Sequence, residues 1–301
     1  MIFDNLLFEA AKKHVACVEE FAVTDVIKNG EQIVGVKGFQ GRTNVETRVH
    51  GKVIIGADGF DSIIARRTGL YEHDSDHWVV ATRGYYRGLS GLTDNIEIHF
   101  VDDVLPGYFW IFPLEEGWAN VGIGMLHTEI KKKNVNLRAA HIAATESPYF
   151  KKRFENAELN GGIRGWNLPL GSKRRQIHGN GFLLLGDAAG LIDPFSGEGI
   201  GNAMLSAKIA AEVIAAAIAR SDFSAECLSQ YPERLWQQIG PELQTSHLLQ
   251  RIGRFKPLLN LVVGKAAKSV EVANWISSMM ANEAPKEALA SPLTYLRLLF
   301  A

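Results

Sequence analysis

The sequence predicts an α/β fold made of a parallel-sheet domain, an inserted antiparallel sheet and a helical C-terminal region. Continuous apolar runs at residues 52–55 and 182–185 are typical of strands that a parallel sheet buries on both faces. Aromatic-rich runs with strand character, from Trp78 to Trp166, lie between them and predict the insertion. The predicted boundaries are 1–75 and 170–225 for the discontinuous first domain, 76–169 for the insertion and 226–301 for the helical region.

Composition is that of an ordinary globular protein. The 301 residues are 47% hydrophobic and 22% charged, which fits about two domains. A net charge of −1 provides no overall field for nucleic acid, so no nucleic-acid partner is predicted. Two separate cysteines, Cys17 and Cys227, indicate neither a disulfide framework nor a metal site, and they favour a cytoplasmic protein. The histidines have no metal-ligand spacing, so no metal is predicted.

The N-terminal region begins with a predicted helix and continues as short strands. Helical spacing of apolar residues predicts the helix over residues 3–13. The Asn29-Gly30 pair predicts a hairpin turn. The apolar strand 52–55 should end at Gly56, and a short helix at 60–67 should follow it. The remaining strand predictions here are 16–18, 21–27, 32–37 and 45–49.

Four strands and a helical stretch are predicted in the insertion, with a helical region at the end of the chain. The strands are 78–86, 96–100, 108–114 and 118–125. A long helix is expected from Gly199 to Arg220. Its apolar part contains Lys208 and Glu212, so no membrane span is predicted, and residues 1–7 lack a signal-peptide pattern. The final helical region should break at prolines 241, 257, 285 and 292.

Two aspartates occupy equivalent places after the two apolar strands. Asp58 follows the first strand and Asp187 follows the second. Open α/β sheets bind ligands at the carboxyl ends of their strands, where a carboxylate can accept hydrogen bonds from ligand hydroxyl groups. The alternative is that each aspartate only caps the following helix.

A glycine-dense loop, residues 193–199, leads into the long helix after Asp187. Its amides and the positive end of the helix dipole suit an anion or an electron-rich carbonyl edge. Ordinary turn chemistry is the alternative explanation of the same glycines.

These segments resemble the two flavin-binding segments of flavoprotein oxidoreductases related to aromatic-ring hydroxylases. The resemblance implies a Rossmann-like FAD-binding domain of the hydroxylase type, in which Asp187 binds the ribityl chain of FAD. The residues that match the first segment are Gly56, Ala57, Asp58, Gly59 and Ser62. Those that match the second are Gly186, Asp187, Ala188, Ala189, Pro194, Gly197, Gly199, Ile200, Gly201 and Asn202.

The insertion resembles the geranylgeranyl reductase branch of the same superfamily. The matching stretches are Y-x-W-x-F-P at 108–113 and N-V-G-x-G at 120–124. The resemblance implies a prenyl-lipid or similar apolar substrate, which would be bound by Tyr108, Trp110, Phe112, Pro113, Gly122 and Gly124. Alternation along a strand would place the three aromatic side chains on one wall. The alternative is an aromatic stripe that only packs the sheet against a core.

The sequence also departs from that superfamily. Its members open with a strand, a G-x-G-x-x-G turn and a helix, and these residues contain no such segment. We therefore expect the first βαβ unit to be missing. Phe3-Asp4-x-x-Leu7 resembles the F-D-x-x-L that follows a conserved arginine in this family.

The function implied is FAD-dependent reduction of C=C double bonds in a geranylgeranyl-type lipid by hydride transfer from reduced flavin. No catalytic side chain is predicted, and the electron donor would be NAD(P)H or a ferredoxin-type protein. A flavin-dependent monooxygenase or halogenase is the related alternative. A catalytically incomplete fragment or partner subunit is the alternative from a different class.

Two surface features leave membrane contact open. Lys173, Arg174, Arg175 and His178 could bind a diphosphate or phospholipid headgroup, or could form a solvated charged loop. The apolar stretch 293–300 could contact a membrane surface or form a final core helix. The expectation is a cytoplasmic protein with peripheral contact to a membrane.

Overall fold

The computed structural model describes residues 2–41 and 45–280. The helices are α1 (Ile2–Lys12), α2 (Ile63–Thr68), α3 (His127–Lys133), α4 (Leu137–Glu146), α5 (Lys151–Phe154), α6 (Ile200–Arg220), α7 (Ala225–Leu228), α8 (Gln230–Gly253), α9 (Lys256–Ala266) and α10 (Val270–Met280). The strands are β1 (Phe21–Asn29), β2 (Gln32–Gln40), β3 (Glu46–His50), β4 (Ile54–Gly56), β5 (Trp78–Arg87), β6 (Glu97–His99), β7 (Tyr108–Pro113), β8 (Trp118–Leu126), β9 (Glu158–Pro169), β10 (His178–Gly179) and β11 (Phe182–Leu184).

The parallel pairing predicted for the two apolar runs is confirmed. Strand β11 pairs parallel with β4 in a three-stranded sheet of order β10-β11-β4. All three residues of β11 are buried, and the core around it includes apolar residues of α6 and α8. Strand β4 differs from the prediction, because Ile55 is 47% exposed and the strand is not buried on both faces.

The N-terminal strands form a meander of order β1-β2-β3. The predicted hairpin is confirmed: Asn29 pairs with Gln32, and Gly30 adopts a positive φ of 59°. The strand predicted at 16–18 is wrong, since these residues are exposed and have no pairing partner among the described residues. Helix α1 confirms the first predicted helix, although its apolar side chains Phe3, Leu6 and Leu7 are exposed.

The insertion folds as a five-stranded antiparallel sheet of order β6-β7-β8-β5-β9. One face carries an apolar core built from Phe109, Ile111, Val121 and Ile123, and α4 packs against it. His141 of α4 is fully buried in this core. The opposite face remains available to the parallel-sheet domain.

The C-terminal region is helical as predicted, with one correction. Pro241 does not end a helix, because it lies inside the continuous helix α8. Leu235, Ile239 and Leu243 of α8 are buried in the main core, and this packing holds the helix together across the lost backbone hydrogen bond. Pro257 does mark a boundary, at the first turn of α9. Prolines 285 and 292, and the stretch 293–300, lie outside the described residues.

Helix α6 corrects a second expectation. By length and composition it is apolar enough to cross a membrane. In the fold, however, its Ile209, Val213 and Ala217 are buried in the main core, as expected for the central helix of a globular domain. Its Glu212 forms an ion pair with Arg234 of α8.

Candidate functional site

The two strand-end loops leave the parallel sheet side by side. Leu184 of β11 is in register with Gly56 of β4, and the Leu185 amide donates to the Gly56 carbonyl at 2.9 Å. Because parallel strands end at the same edge of a sheet, this register brings Asp58 and Asp187 to that edge. The place predicted for a ligand therefore exists in the fold.

The first loop serves mainly to start a helix. A Cβ at Gly56 would lie 2.8 Å from Leu184 Cδ2 and 3.0 Å from Ile64 Cβ, so only glycine lets α2 pack this closely on the strand. Asp58 Oδ2 accepts a hydrogen bond from the Ile63 amide at 2.7 Å, and buried Ser62 caps α2 through the Ala65 amide at 3.0 Å. One oxygen of Asp58 thus performs the capping role that the sequence left open. Ala57 and Gly59 complete this loop, where Gly59 has a positive φ of 79°.

The second loop contains a half-buried carboxylate to which no described residue donates. No described residue donates a hydrogen bond to the side chain of Asp187, and burial raises the pKa of this carboxyl. A desolvated carboxylate normally has a hydrogen-bonding partner. Hydroxyl groups of a bound polyol would supply the missing donors. Gly186, Ala188 and Ala189 hold the loop in place, and Ala189 is fully buried in the main core.

Asp193 organises the glycine-dense loop that follows. Its Oδ1 accepts hydrogen bonds from the amides of Phe195 at 2.9 Å and Ser196 at 2.8 Å, and from the Ser196 hydroxyl at 3.0 Å. Its backbone carbonyl accepts from the Gly197 amide at 3.0 Å. Helix α8 supports the same loop, because Gln250 Nε2 donates to the Pro194 carbonyl at 2.8 Å. The loop conformation is therefore fixed by the protein before any ligand binds.

Helix α6 begins at this loop and presents amides with no internal acceptor. The amide of Gly201 donates to Glu198 Oε1. For the amides of Gly199, Ile200 and Asn202, by contrast, no acceptor occurs among the described residues. Such first-turn amides lie at the positive end of the helix dipole and suit an electron-rich ligand edge. The Asn202 side chain is already used, since its Nδ2 donates to the Leu191 carbonyl at 2.9 Å.

The aromatic residues of β7 line one face of the five-stranded sheet, as predicted. Tyr108, Trp110 and Phe112 alternate with the core residues Phe109 and Ile111, which are fully buried on the opposite face. Tyr108 packs edge-on against Trp110 with ring centroids 6.0 Å apart, and Phe112 stacks on Trp110 at 5.9 Å. The residues of β7 that pack the insertion's own core are Phe109 and Ile111, on the opposite face. Pro113 ends the strand.

The glycines of β8 make room on this aromatic face. A Cβ at Gly122 would overlap the indole of Trp110 and the Thr82 carbonyl oxygen, so the glycine lets the indole lie flat across the sheet. A Cβ at Gly124 would make only ordinary contacts, at 3.5 Å from Val79 Cγ1 and 3.7 Å from Trp110 Cζ3. Gly124 itself is buried, but the space beside it has room for a methyl group.

One row of residues across this face connects the first strand-end loop with the glycine-dense loop. Because both resemble flavin-binding segments, we call these two the flavin-type loops. The row follows the strand register through Tyr108, Gly124, Ala81 and Trp166. At one end of the row the Tyr108 hydroxyl donates to the Ser196 carbonyl of the glycine-dense loop at 3.1 Å. At the other end Trp166 packs edge-on against Phe60, directly after the first loop, with centroids 5.0 Å apart. Between these two aromatic residues the row holds only Gly124 and Ala81, both of them buried, and we call this row the Gly124 groove.

Several residues of this site were not predicted from the sequence. Asp193, Ser246, Gln250, Phe60 and Trp166 hold the loops through contacts between distant parts of the chain, and no local pattern marks them.

The basic run at 173–175 is used inside the fold. Lys173 pairs with Glu72 and Asp74 at 2.8 and 3.1 Å, Arg174 lies over the Trp236 ring, and Arg175 Nη1 donates to the Leu170 carbonyl at 2.7 Å. These internal partners argue against a headgroup site there. Over residues 2–41 and 45–280 no group of three or more His, Cys, Asp or Glu side chains could hold a metal ion.

Solved structures with a similar fold include a reductase-like protein and a flavin-dependent enzyme. A geranylgeranyl bacteriochlorophyll reductase-like protein from Thermoplasma acidophilum superposes with a TM-score of 0.75 at 26% identity, over 84% of this chain and 62% of that one. A flavin-dependent brominase superposes with a TM-score of 0.69 at 25% identity, over 92% of this chain and 68% of that one. The chain thus has the fold of a class of proteins that includes flavin-dependent oxidoreductases.

Sequence comparison identifies the branch. The model of the geranylgeranyl reductase catalytic domain matches residues 91–160. A digeranylgeranylglycerophospholipid reductase of Methanocaldococcus jannaschii is 33% identical over 255 residues, 83% of this chain and 62% of the relative. Digeranylgeranylglycerophospholipid reductase 2 of Methanococcoides burtonii is 32% identical over 83% of this chain and 60% of the relative. The chain belongs to the geranylgeranyl reductase family and spans about 60% of the length of these relatives.

Proposed function

We propose that this chain provides the substrate sheet and part of the flavin site of an FAD-dependent oxidoreductase that reduces C=C double bonds of a prenyl lipid. The observation that carries the proposal is the Gly124 groove, whose two ends contact the two flavin-type loops. An apolar chain lying in the groove would pass directly beside both loops. The names of the relatives supply the lipid class.

The residues present fit a flavin. Asp187 is a half-buried carboxylate to which no described residue donates, which suits the hydroxyl groups of a ribityl chain. The free amides of Ile200 and Asn202 suit the carbonyl edge of an isoalloxazine ring. When bound in its reduced form, FAD supplies the hydride for the reduction. The other residues of the predicted FAD set, from Gly56 to Ser62 and from Gly186 to Asn202, remain proposals for the same role.

The protein groups around the groove position the substrate and exclude water. Trp110 and Phe112 provide an apolar wall for a prenyl chain. Burial, reinforced by Asp193, raises the pKa of Tyr108 to about 12, so this hydroxyl stays protonated at neutral pH. Tyr108 therefore keeps its hydrogen bond to the Ser196 carbonyl and holds the loop against the sheet.

The brominase similarity supports a second candidate, a flavin-dependent monooxygenase or halogenase. A third candidate is a partner subunit or incomplete fragment, because the chain spans about 60% of its relatives' length. The electron donor we propose is NAD(P)H or a ferredoxin-type protein. For a lipid substrate we propose a cytoplasmic location with peripheral contact to the membrane.

The test begins with the visible absorption spectrum of the purified chain with and without FAD. Retention of shifted flavin bands through gel filtration supports the cofactor proposal. The flavin is then reduced anaerobically with dithionite, prenyl lipid is added, and the product is analysed by mass spectrometry. A gain of two hydrogen atoms per reduced double bond supports the reductase.

Other outcomes separate the candidates. Turnover that requires oxygen and yields a hydroxylated or halogenated product overturns the reductase in favour of the second candidate. A chain that leaves FAD free in solution supports the third candidate. Asp187→Ala serves as the matched variant, since it should lose the flavin bands while the far-ultraviolet circular dichroism stays unchanged.

A further inference from the structure

Two arginines lie directly opposite each other on the aromatic face of the five-stranded sheet. Arg83 of β5 and Arg164 of β9 are cross-strand partners. Their row continues through Gly122 to Trp110, so it runs alongside the row of the Gly124 groove. Arg83 is half-buried and Arg164 is exposed.

Side-chain contacts confirm which face the arginines occupy. The Arg83 guanidinium lies 4.3 Å from the centroid of the Tyr85 ring, and the next arginine on the same strand face, Arg87, lies 5.6 Å from that of Trp118. Residues two apart on a strand share a face, which places Arg83 with Tyr85 and Arg87. Ile163, next to Arg164, is buried beneath the other face.

Neither member of the pair is neutralised within the described chain. No ion pair of the described residues includes Arg83 or Arg164. The acidic residue on these rows, Glu158, is the cross-strand partner of Arg87 instead. Like charges placed directly opposite each other destabilise a sheet, and among the described residues no carboxylate forms an ion pair that offsets this cost.

The register of β5 against β9 fixes this pairing. Six consecutive pairs, from Trp78–Pro169 to Arg83–Arg164, share one register, and the pairing becomes irregular only beyond them, between Arg83 and Tyr85. Gly161 and Gly162, at this irregularity, adopt positive φ values of 69° and 74°. Arg83 and Arg164 are therefore the last regular pair before a bulge, and bulges often lie beside functional sites.

We propose that Arg83 and Arg164 bind the phosphate group at the polar end of an amphipathic prenyl substrate. This inference rests on the proposed function and adds the chemistry of the substrate's polar end. Guanidinium groups bind phosphate oxygens in pairs of parallel hydrogen bonds, and two of them side by side match one phosphate. Their row lies about 7 Å along the strands from the groove floor, two residues away. The prenyl chain then continues from the arginines over the groove.

The test measures binding of three ligands to the full chain by tryptophan fluorescence, since Trp110 and Trp166 line this face. The ligands are geranylgeranyl diphosphate, geranylgeraniol and inorganic diphosphate. The variants are Arg83→Gln, Arg164→Gln and Arg83→Lys, and circular dichroism checks their folding. Arg138→Gln is the matched control, because Arg138 is an exposed arginine of α4 on the opposite side of the sheet.

We expect the prenyl diphosphate to bind at least about tenfold more tightly than the alcohol, with an advantage that shrinks as salt rises. Each glutamine variant should remove about tenfold of that advantage and leave alcohol binding unchanged. Arg83→Lys should retain part of it, because it keeps the charge and loses the planar fork. The control should behave as wild type.

Three results would overturn the inference. Equal binding of diphosphate and alcohol, with no effect of the variants, removes the phosphate site and leaves the proposed function standing. Inorganic diphosphate that binds as tightly as the prenyl ester points to free phosphate and not to a lipid. Failure of both prenyl ligands to bind removes the proposed function together with the inference.

Discussion

The Ser246 hydroxyl donates a hydrogen bond of 2.6 Å to Oδ2 of Asp193, and this buried contact joins residues 53 positions apart. Asp193 begins the glycine-dense loop, whereas Ser246 lies in the middle of α8. The other carboxylate oxygen of Asp193 holds the loop itself. A helix outside the parallel sheet therefore helps to set the shape of the loop that faces the proposed flavin.

Replacement of Asp193 should be costly. Asp193→Ala removes the acceptor of four hydrogen bonds, one of them the buried bond from the Ser246 hydroxyl, so we expect a loss of about 3 kcal/mol in the free energy of unfolding. Urea denaturation measures this loss. Asp193→Asn keeps one acceptor oxygen and should cost clearly less. Equal stability of the two variants would contradict the role assigned to the carboxylate.

Asp187 should show the opposite behaviour in the absence of flavin. Folding raises the pKa of this carboxyl through burial, so its ionised form disfavours the folded state above the unfolded pKa. Asp187→Asn should therefore leave the flavin-free chain at least as stable as wild type at neutral pH. It should weaken FAD binding about tenfold, measured by flavin fluorescence titration. Asp103→Asn, at an exposed carboxylate, is the control and should change neither quantity.

The two glycines of β8 should respond differently to alanine. Gly122→Ala places a methyl group against the Trp110 indole and the Thr82 carbonyl, and we expect a loss of about 2 kcal/mol or more. Gly124→Ala meets only ordinary contacts and should leave the fold within about 0.5 kcal/mol of wild type. Thermal unfolding compares them. A larger loss of stability for Gly124→Ala would show that the Gly124 groove has no room for a methyl group.

His141 should make stability depend on pH. Burial lowers its pKa from 6.5 to about 4, although its ring bonds to Thr82 Oγ1 at 3.2 Å and Tyr86 at 3.3 Å. The unfolded chain therefore binds a proton more readily, and up to about 3 kcal/mol of stability should be lost as pH falls from 6.5 to 4.

His141→Gln removes this titration while half-buried histidines, such as His77 and His247, still contribute to the pH dependence with the same sign. The difference between the two proteins therefore isolates His141. Urea unfolding at several pH values should give a flatter profile for the variant. Parallel profiles would show that His141 does not titrate in this range.

Local sequence patterns predicted most of the elements that position the site. The apolar run before Asp187 became β11, and the alternation at 108–113 placed Tyr108, Trp110 and Phe112 on one face. The strand at 16–18 failed, because three apolar residues form a strand only when a partner strand pairs with them. Pro241 failed as a helix breaker, because tertiary packing of α8 outweighs one missing hydrogen bond.

The interactions that complete the site could not be predicted in the same way. The contact of Asp193 with Ser246 and that of Phe60 with Trp166 depend on how distant segments meet. The pairing of Arg83 with Arg164 depends on the register between β5 and β9, two strands that are distant in the sequence. A single sequence carries no periodic signal for such contacts. The glycines at 122 and 124 are visible in the sequence, but the sequence does not show that Gly122 makes room for the Trp110 indole.

In the Gly124 groove, the contacts that position the flavin-type loops and the surface that would accept the substrate chain involve different residues. The loops that would hold the flavin contact the sheet through Tyr108 and Trp166 at the ends of the row, while Gly124 and Ala81 lie between those two contacts. We therefore expect changes of size at Gly124 and Ala81 to leave both loop contacts in place. Natural or laboratory evolution could in this way retune which chain cross-sections are accepted, from slender acyclic chains to bulkier ring-bearing ones, while the redox machinery is inherited intact.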